Sequence, residues 1–304
     1  MMELISKAFD LLIPTMALGW DKLVALLNSN FMAALAGAGL GAYAADRIAT
    51  RRERSKKIST ALESTNSAIA LSGLISNQAL IMKGQHILDL HRNFVLEEVR
   101  YNEIKRRHDA GEVIGPGERV IVTNLVQLPE LHVPIDALTA LVFDKVSAGA
   151  RHIGLLLAVQ NAIRDLNLFI QRRNQLCAQF REISPEIRAP LYLGLPIPQG
   201  RDETYPHCIF NIYQSTNDLA FFAAHLATDL QQHGKRLSER YAKAFRTSPP
   251  HVNEMKFDTP RAKELMPPEV AYSDYLSMFK QVEAKKPDGL LRRIKNQISG
   301  IFGQ

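Results

Sequence analysis

Apolar residues recur at alternating steps of three and four along two long stretches of this chain. In the first, Leu156, Val159, Ile163, Leu166, Ile170, Arg173, Cys177 and Phe180 keep the step. In the second, Ile209, Ile212, Thr216, Leu219, Ala223, Leu226, Leu230, His233 and Leu237 keep it. Seams sustained this long predict helices packed lengthwise in a bundle or coiled coil. A third seam runs through Leu80, Lys83, Ile87, Leu90 and Phe94. It lies in a stretch that reads helical from about 48 to 109, because no proline falls between Pro14 and Pro116. Arg173 and His233 sit at seam positions that prefer apolar side chains. We expect the helices to drift there so that both reach solvent, in preference to a register-setting contact with a carboxylate.

The breaks are equally legible. GEVIGPGE, beginning at Gly111, is turn chemistry, and the whole interval 111–134 interrupts the helical pattern. Within it, 119–126 (RVIVTNLV) predicts a short strand, with 190–198 (PLYLGLPIP) as its partner. Residues 136–146 predict a shorter helix. The loop 184–206 carries five prolines and allows an antiparallel return. Past Thr247 the segment 248–287 is proline-rich and irregular, with one short helix over 268–283.

A different pattern occupies the N-terminal part. Phe31 to Ala45 (FMAALAGAGLGAYAA) holds no charge. We read 31–47 as a transmembrane helix, extended upstream by apolar residues to reach the roughly 20 residues that a bilayer requires. A buried Ala-rich helix and a cleaved signal peptide are the competing readings. The latter is disfavoured by Glu3 and Asp10, where a signal needs a positive start. Ala33, Gly37, Gly41 and Ala45 fall four apart, a small-residue face that lets two transmembrane helices approach closely. Ahead of it, 1–30 is an apolar, amphipathic segment with Pro14 and Trp20.

Charge gives the orientation. The chain carries +6 overall, and Asp46–Lys57 and Lys285–Gln304 each contribute +4. Arg51, Arg52, Arg54, Lys56 and Lys57 follow the apolar run, whereas only Lys7 and Lys22 precede it. The positive-inside rule then places the bulk of the chain in the cytoplasm and the short N-terminus outside a bacterial-type inner membrane. The second basic group belongs to 288–304, where Leu291, Ile294, Ile298 and Phe302 share an apolar wedge and Arg292, Arg293 and Lys295 flank it. Such a basic amphipathic helix reads as a membrane-surface element, or else docks on the bundle. Without these two groups, +4 each out of +6, the rest of the chain nets −2, which disfavours nucleic acid as a partner.

The fold class expected is therefore mostly α, with one N-terminal transmembrane helix. A cytoplasmic bundle of long antiparallel helices over 48–247 follows, with at most a minor β element. Cys177 and Cys208 are the only cysteines and make no disulfide framework. The chain has no nucleotide-binding glycine loop, no His-Glu-x-x-His and no Gly-x-Ser-x-Gly. His225 and Asp229 are four apart but lack further ligands at matching spacing, so no cofactor or metal is expected. The function this supports is a membrane-anchored scaffold or interaction protein. Its partners are the lipid membrane, further copies of itself and a cytoplasmic protein. A pore or gate built from the Gly/Ala-rich helix, and a membrane-surface enzyme with a dispersed site, are the alternatives.

Overall fold

The computed structural model describes residues 30–146, 148–198 and 200–284, and these are mostly helical. The chain divides into two compact units at Thr60/Ala61. The described part of the first unit, residues 30–60, is helical throughout and belongs to α1 (Asn30–Met82). Residues 37–49 are exposed along their whole length.

The second unit is a bundle. The later part of α1 leads through a π-helical turn, Lys83–Ile87, into α2 (Leu88–Asp109). A short α3 (Ile135–Ala140) ends in a second π turn, Leu141–Lys145. Then come α4 (Ala150–Arg181), α5 (Pro185–Leu193), a two-residue hairpin of β1 (Pro196–Ile197) with β2 (Gly200–Arg201), and α6 (Thr204–Phe245). Two short helices follow, α7 (Pro260–Leu265) and α8 (Ser273–Ala284).

Helix α6 is the centre of the bundle. Leu219 to Ala224, six consecutive residues, are all buried, which requires neighbours on every side. Phe94 meets Tyr205 while the Ser76 hydroxyl donates to the Ala220 carbonyl at 2.9 Å, so α1–α2 runs antiparallel to α6. Phe180 meets Tyr205 while Arg151 pairs with Asp229, so α4 is antiparallel to it as well. The seams are the buried faces: every α4 seam residue is buried, as are Leu80, Lys83, Ile87, Leu90 and Phe94.

Two extended segments lie against this bundle, and neither belongs to a sheet. Their peptide groups still need partners. Helical asparagines supply them. Asn174 donates to the Leu128 carbonyl at 2.8 Å and accepts from the Leu128 N–H at 2.9 Å. Asn167, one heptad earlier, grips Leu131 in the same way at 3.0 and 2.9 Å. Asn66 donates to the His251 carbonyl and accepts from the Asn253 N–H, at 2.8 and 2.9 Å. Glycines on the helices seat the second segment. A Cβ on Gly234 would stand 2.9 Å from Val252 Cγ1, and one on Gly84 would stand 3.0 Å from Leu265 Cδ1.

These contacts correct two sequence readings. Residues 119–126 do not pair with 190–198, because 190–193 belong to α5 and 119–126 turns its peptides towards side chains. Arg173 does not reach solvent. It is wholly buried, and its two terminal nitrogens donate to the Val126 and Asn124 carbonyls at 2.7 and 3.0 Å. Its guanidinium also lies over the Tyr205 ring, 5.8 Å from the centroid. The seam position thus takes a cation whose partners are main-chain carbonyls rather than a carboxylate.

Replacing Asn174 by leucine keeps the branched shape of the side chain but leaves both polar groups of Leu128 unpaired. We predict a loss of about 1–3 kcal/mol, read as a lower urea midpoint with an unchanged slope. Protease cleavage should rise first within 121–131.

Candidate functional site

The residues expected to meet the membrane fall in three places. Gly37, Gly41 and Ala45 are exposed on α1, and Ala33 belongs to the same helix. A Cβ built on Gly37 or Gly41 meets nothing within 4 Å, so the small-residue face is open to a neighbour. Arg51, Arg52, Arg54, Lys56 and Lys57 are all exposed, and Lys57 pairs with Glu53 at 3.2 Å. Leu291, Arg292, Arg293, Ile294, Lys295, Ile298 and Phe302 lie outside the described residues, as does most of 1–30.

By length and composition, one described helix is apolar enough to cross a membrane, and it is α4, whose most apolar 18-residue stretch has a mean hydropathy of 1.3. Its apolar seam is buried against α6, as a bundle's core helix would be. Helix α1 does not reach the same measure. Its apolar run is short, rich in alanine and glycine, and bounded by Asn30 and by Asp46–Arg47.

Buried polar chemistry gathers at three points on the bundle. The first is the Arg173 pocket. There the Tyr205 hydroxyl donates to the Asn124 carbonyl at 3.0 Å, and the Tyr192 ring lies tilted against Tyr205 with centroids 4.6 Å apart. Both cysteines are buried and free, and burial pushes the Cys208 thiol up to about 11, which leaves it a protonated, unreactive side chain.

The second point is Lys83, at the start of the π turn. Its ammonium is buried, donates to the Leu265 carbonyl at the end of α7 and lies 5.4 Å from the Tyr213 ring centroid. Burial lowers its pKa. A cation at a helix C-terminus is favourably placed against the helix dipole, so Lys83 acts as a cap across the bundle. His91 stacks on the other side of this region, 4.1 Å from Tyr213.

The third point lies between the start of α4 and the later half of α6. Asp229 pairs with Arg151, and His225 approaches Glu269 at 3.9 Å. His152 and His233 meet edge to face at 5.5 Å, and His152 Nδ1 and His233 Nε2 are buried without a hydrogen-bond partner. His233 is thus half-buried against another histidine rather than directed to water, which corrects the second seam reading. His225 and Asp229 have separate partners, and among the described residues no three His, Cys, Asp or Glu side chains form a group able to hold a metal. Nearby, the Tyr272 hydroxyl and Gln214 both donate to Asp218 at 2.7 Å, fixing the segment before α8 onto α6.

Spacing alone could not reveal the Arg173 pocket or the asparagine clamps. The only trace in the sequence is a polar residue on a helix beside an extended, β-branched stretch. That stretch also borders a groove of about 490 Å³ lined by Tyr101, Ile104, Val120, Ile121, Pro185 and Leu195. Comparison of the chain with protein-family models, with curated proteins and with solved structures returns no match.

Burial lowers the pKa of His91, His225 and His233. The unfolded chain, with imidazoles near 6.5, therefore binds more protons than the native state just below that pH. Stability from these groups is complete above 6.5 and is lost as pH falls towards their lower folded values. Burial raises Asp218, which opposes this at more acid pH. We predict that the urea midpoint drops between about pH 7.5 and 5.5, and that His233→Gln drops less over the same interval.

Proposed function

We propose that the protein is a membrane-anchored helical scaffold whose bundle stands in the cytoplasm and offers a docking surface to a protein partner. The observation that carries this reading is the uncharged helical stretch around Gly37–Ala45, apolar on all sides and exposed throughout. Leu40 and Tyr43 are 70% and 63% exposed. Each large apolar side chain held in water forgoes about 1.5–3 kcal/mol. A helix apolar on every face is one that lipid or other helices surround. The basic residues from Arg51 to Lys57 then lie at the level of anionic headgroups, on the side that the positive-inside rule assigns to the cytoplasm. The basic wedge over 288–304 would hold the other end of the chain to the same leaflet.

Self-assembly is the second element of the proposal. The face formed by Ala33, Gly37, Gly41 and Ala45 has the spacing of closely packed transmembrane pairs, and the space beside both glycines is open. The same feature would serve a pore or gate if several copies closed into a ring. The groove beside Val120 and Ile121 is the surface best suited to a cytoplasmic partner, since Val120, Val122 and Val126 are exposed around it.

Expression in bacteria tests the anchor. The full chain should stay with membranes through alkaline carbonate washing, and a reporter fused after Gln304 should report the cytoplasm. Release into the wash would sink the anchor reading. In those membranes, Gly37→Ile with Gly41→Ile should leave insertion intact while cross-linked oligomers diminish. Unchanged cross-linking would remove the small-residue face as the contact, and conductance of the wild type in planar bilayers would favour the pore.

A further inference from the structure

Charge is unevenly spread along the bundle, and the imbalance sits at one end of α6. Lys235, Arg236, Arg240, Lys243 and Arg246 fall in its last turns and cap, against Glu239 alone, so 235–246 carries +4. Residues 61–284 as a whole hold 24 basic and 25 acidic residues, so everything in that span outside 235–246 carries −5. All five cations are exposed. Among the described residues only Lys235 has an acidic partner, Glu254 at 3.1 Å. Arg236, Arg240 and Lys243 follow at steps of four and three and share one face of the helix.

The helix dipole accounts for part of this. It favours cations at a C-terminus, but only within the last turn. That covers Lys243 and Arg246 and leaves Lys235, Arg236 and Arg240, which lie earlier. The place of the cluster in the bundle is more telling. A Cβ on Gly234 would stand 3.4 Å from Thr65 Cγ2, so the basic end of α6 lies beside the beginning of the bundle, where the chain arrives from residue 60. The other end of α6 lies beside Phe94, and α2 runs on from there to Lys105 and Asp109. Tyr241 and Phe245, half-buried with their rings 4.9 Å apart, add two aromatic rings to the basic end.

We infer that the C-terminal end of α6 is a docking surface for anionic phospholipid headgroups, and that it sets the bundle upright on the leaflet with its acidic remainder turned away. This rests on the anchor reading, which keeps the bundle tethered beside the bilayer. A nucleic acid would meet the same cations, but it has no tether, and the surplus negative charge over the rest of the bundle repels it. Cations at a bilayer surface act additively and are screened by salt.

The test uses the full chain reconstituted into vesicles of phosphatidylcholine, alone or mixed with phosphatidylglycerol. Amine acylation is followed at Lys243 and, as a control at the opposite end of the bundle, at Lys105. Lys243 should react at least about fivefold more slowly on the anionic vesicles, and Lys105 equally on both. The difference should vanish at about 1 M salt, where the screening length is roughly 3 Å. Arg236→Gln with Arg240→Gln changes only exposed side chains and should return Lys243 to its neutral-vesicle rate. Equal Lys243 rates on the two vesicles overturn the inference. So does protection by single-stranded RNA with none from anionic lipid. A chain that fails to float with neutral vesicles removes the anchor instead. Protection of Lys243 in that free chain by added anionic vesicles then still decides the present proposal.

Discussion

Peptide groups outside a helix or sheet still need hydrogen-bond partners, and the arrangement of this bundle follows from how that need is met. Two extended segments cross its surface where no sheet exists to receive them. Side chains of the long helices take the place of a neighbouring strand. Asn167 and Asn174 each present a donor and an acceptor to one residue, and Asn66 does the same across two. An amide is suited to this because its two functions match the two of a peptide unit. Heptad spacing on α4 then fixes the register of the extended chain three residues at a time.

Arg173 belongs to the same device. A buried guanidinium without a carboxylate would be costly if its donors were unpaired. Two carbonyls of the extended segment meet its terminal nitrogens and the Tyr205 ring lies against it, while Nε alone is buried without a partner. The cation therefore makes the bundle and the segment depend on one another: the segment pairs the two terminal nitrogens of a core cation, and the core holds the segment in place. Lys83 repeats the logic with the last carbonyl of α7. In both cases a charged seam residue ties an outlying piece of chain to the long helices.

This construction separates two kinds of surface. The clamped segment around 124–131 and the cluster of aromatic rings around Tyr205 stiffen the end of the bundle that bears the apolar groove. The opposite end of α6 is basic. A scaffold fixed to a leaflet would use the two ends differently, one for lipid and one for protein. The exposed, uncharged stretch of α1 accords with that division, since no described residue covers it.

The sequence by itself determined the helices, because a three-four repeat reports which face of a helix is buried wherever the partner lies. Leu156 to Phe180 and Ile209 to Leu230 could be assigned to the core without knowing what they touched. The prolines of 184–206 likewise marked a break that any fold must respect. The tertiary structure alone decided what the polar exceptions do. Arg173 on a seam is compatible with solvent, a carboxylate or a carbonyl, and only the path of residues 124–131 selects among them. The β-branched run at 119–126 has strand propensity, but propensity does not name a partner. An arginine nearly fifty residues away in sequence proved to be that partner, and such a contact leaves no periodic trace because it depends on where two elements meet rather than on how either one repeats.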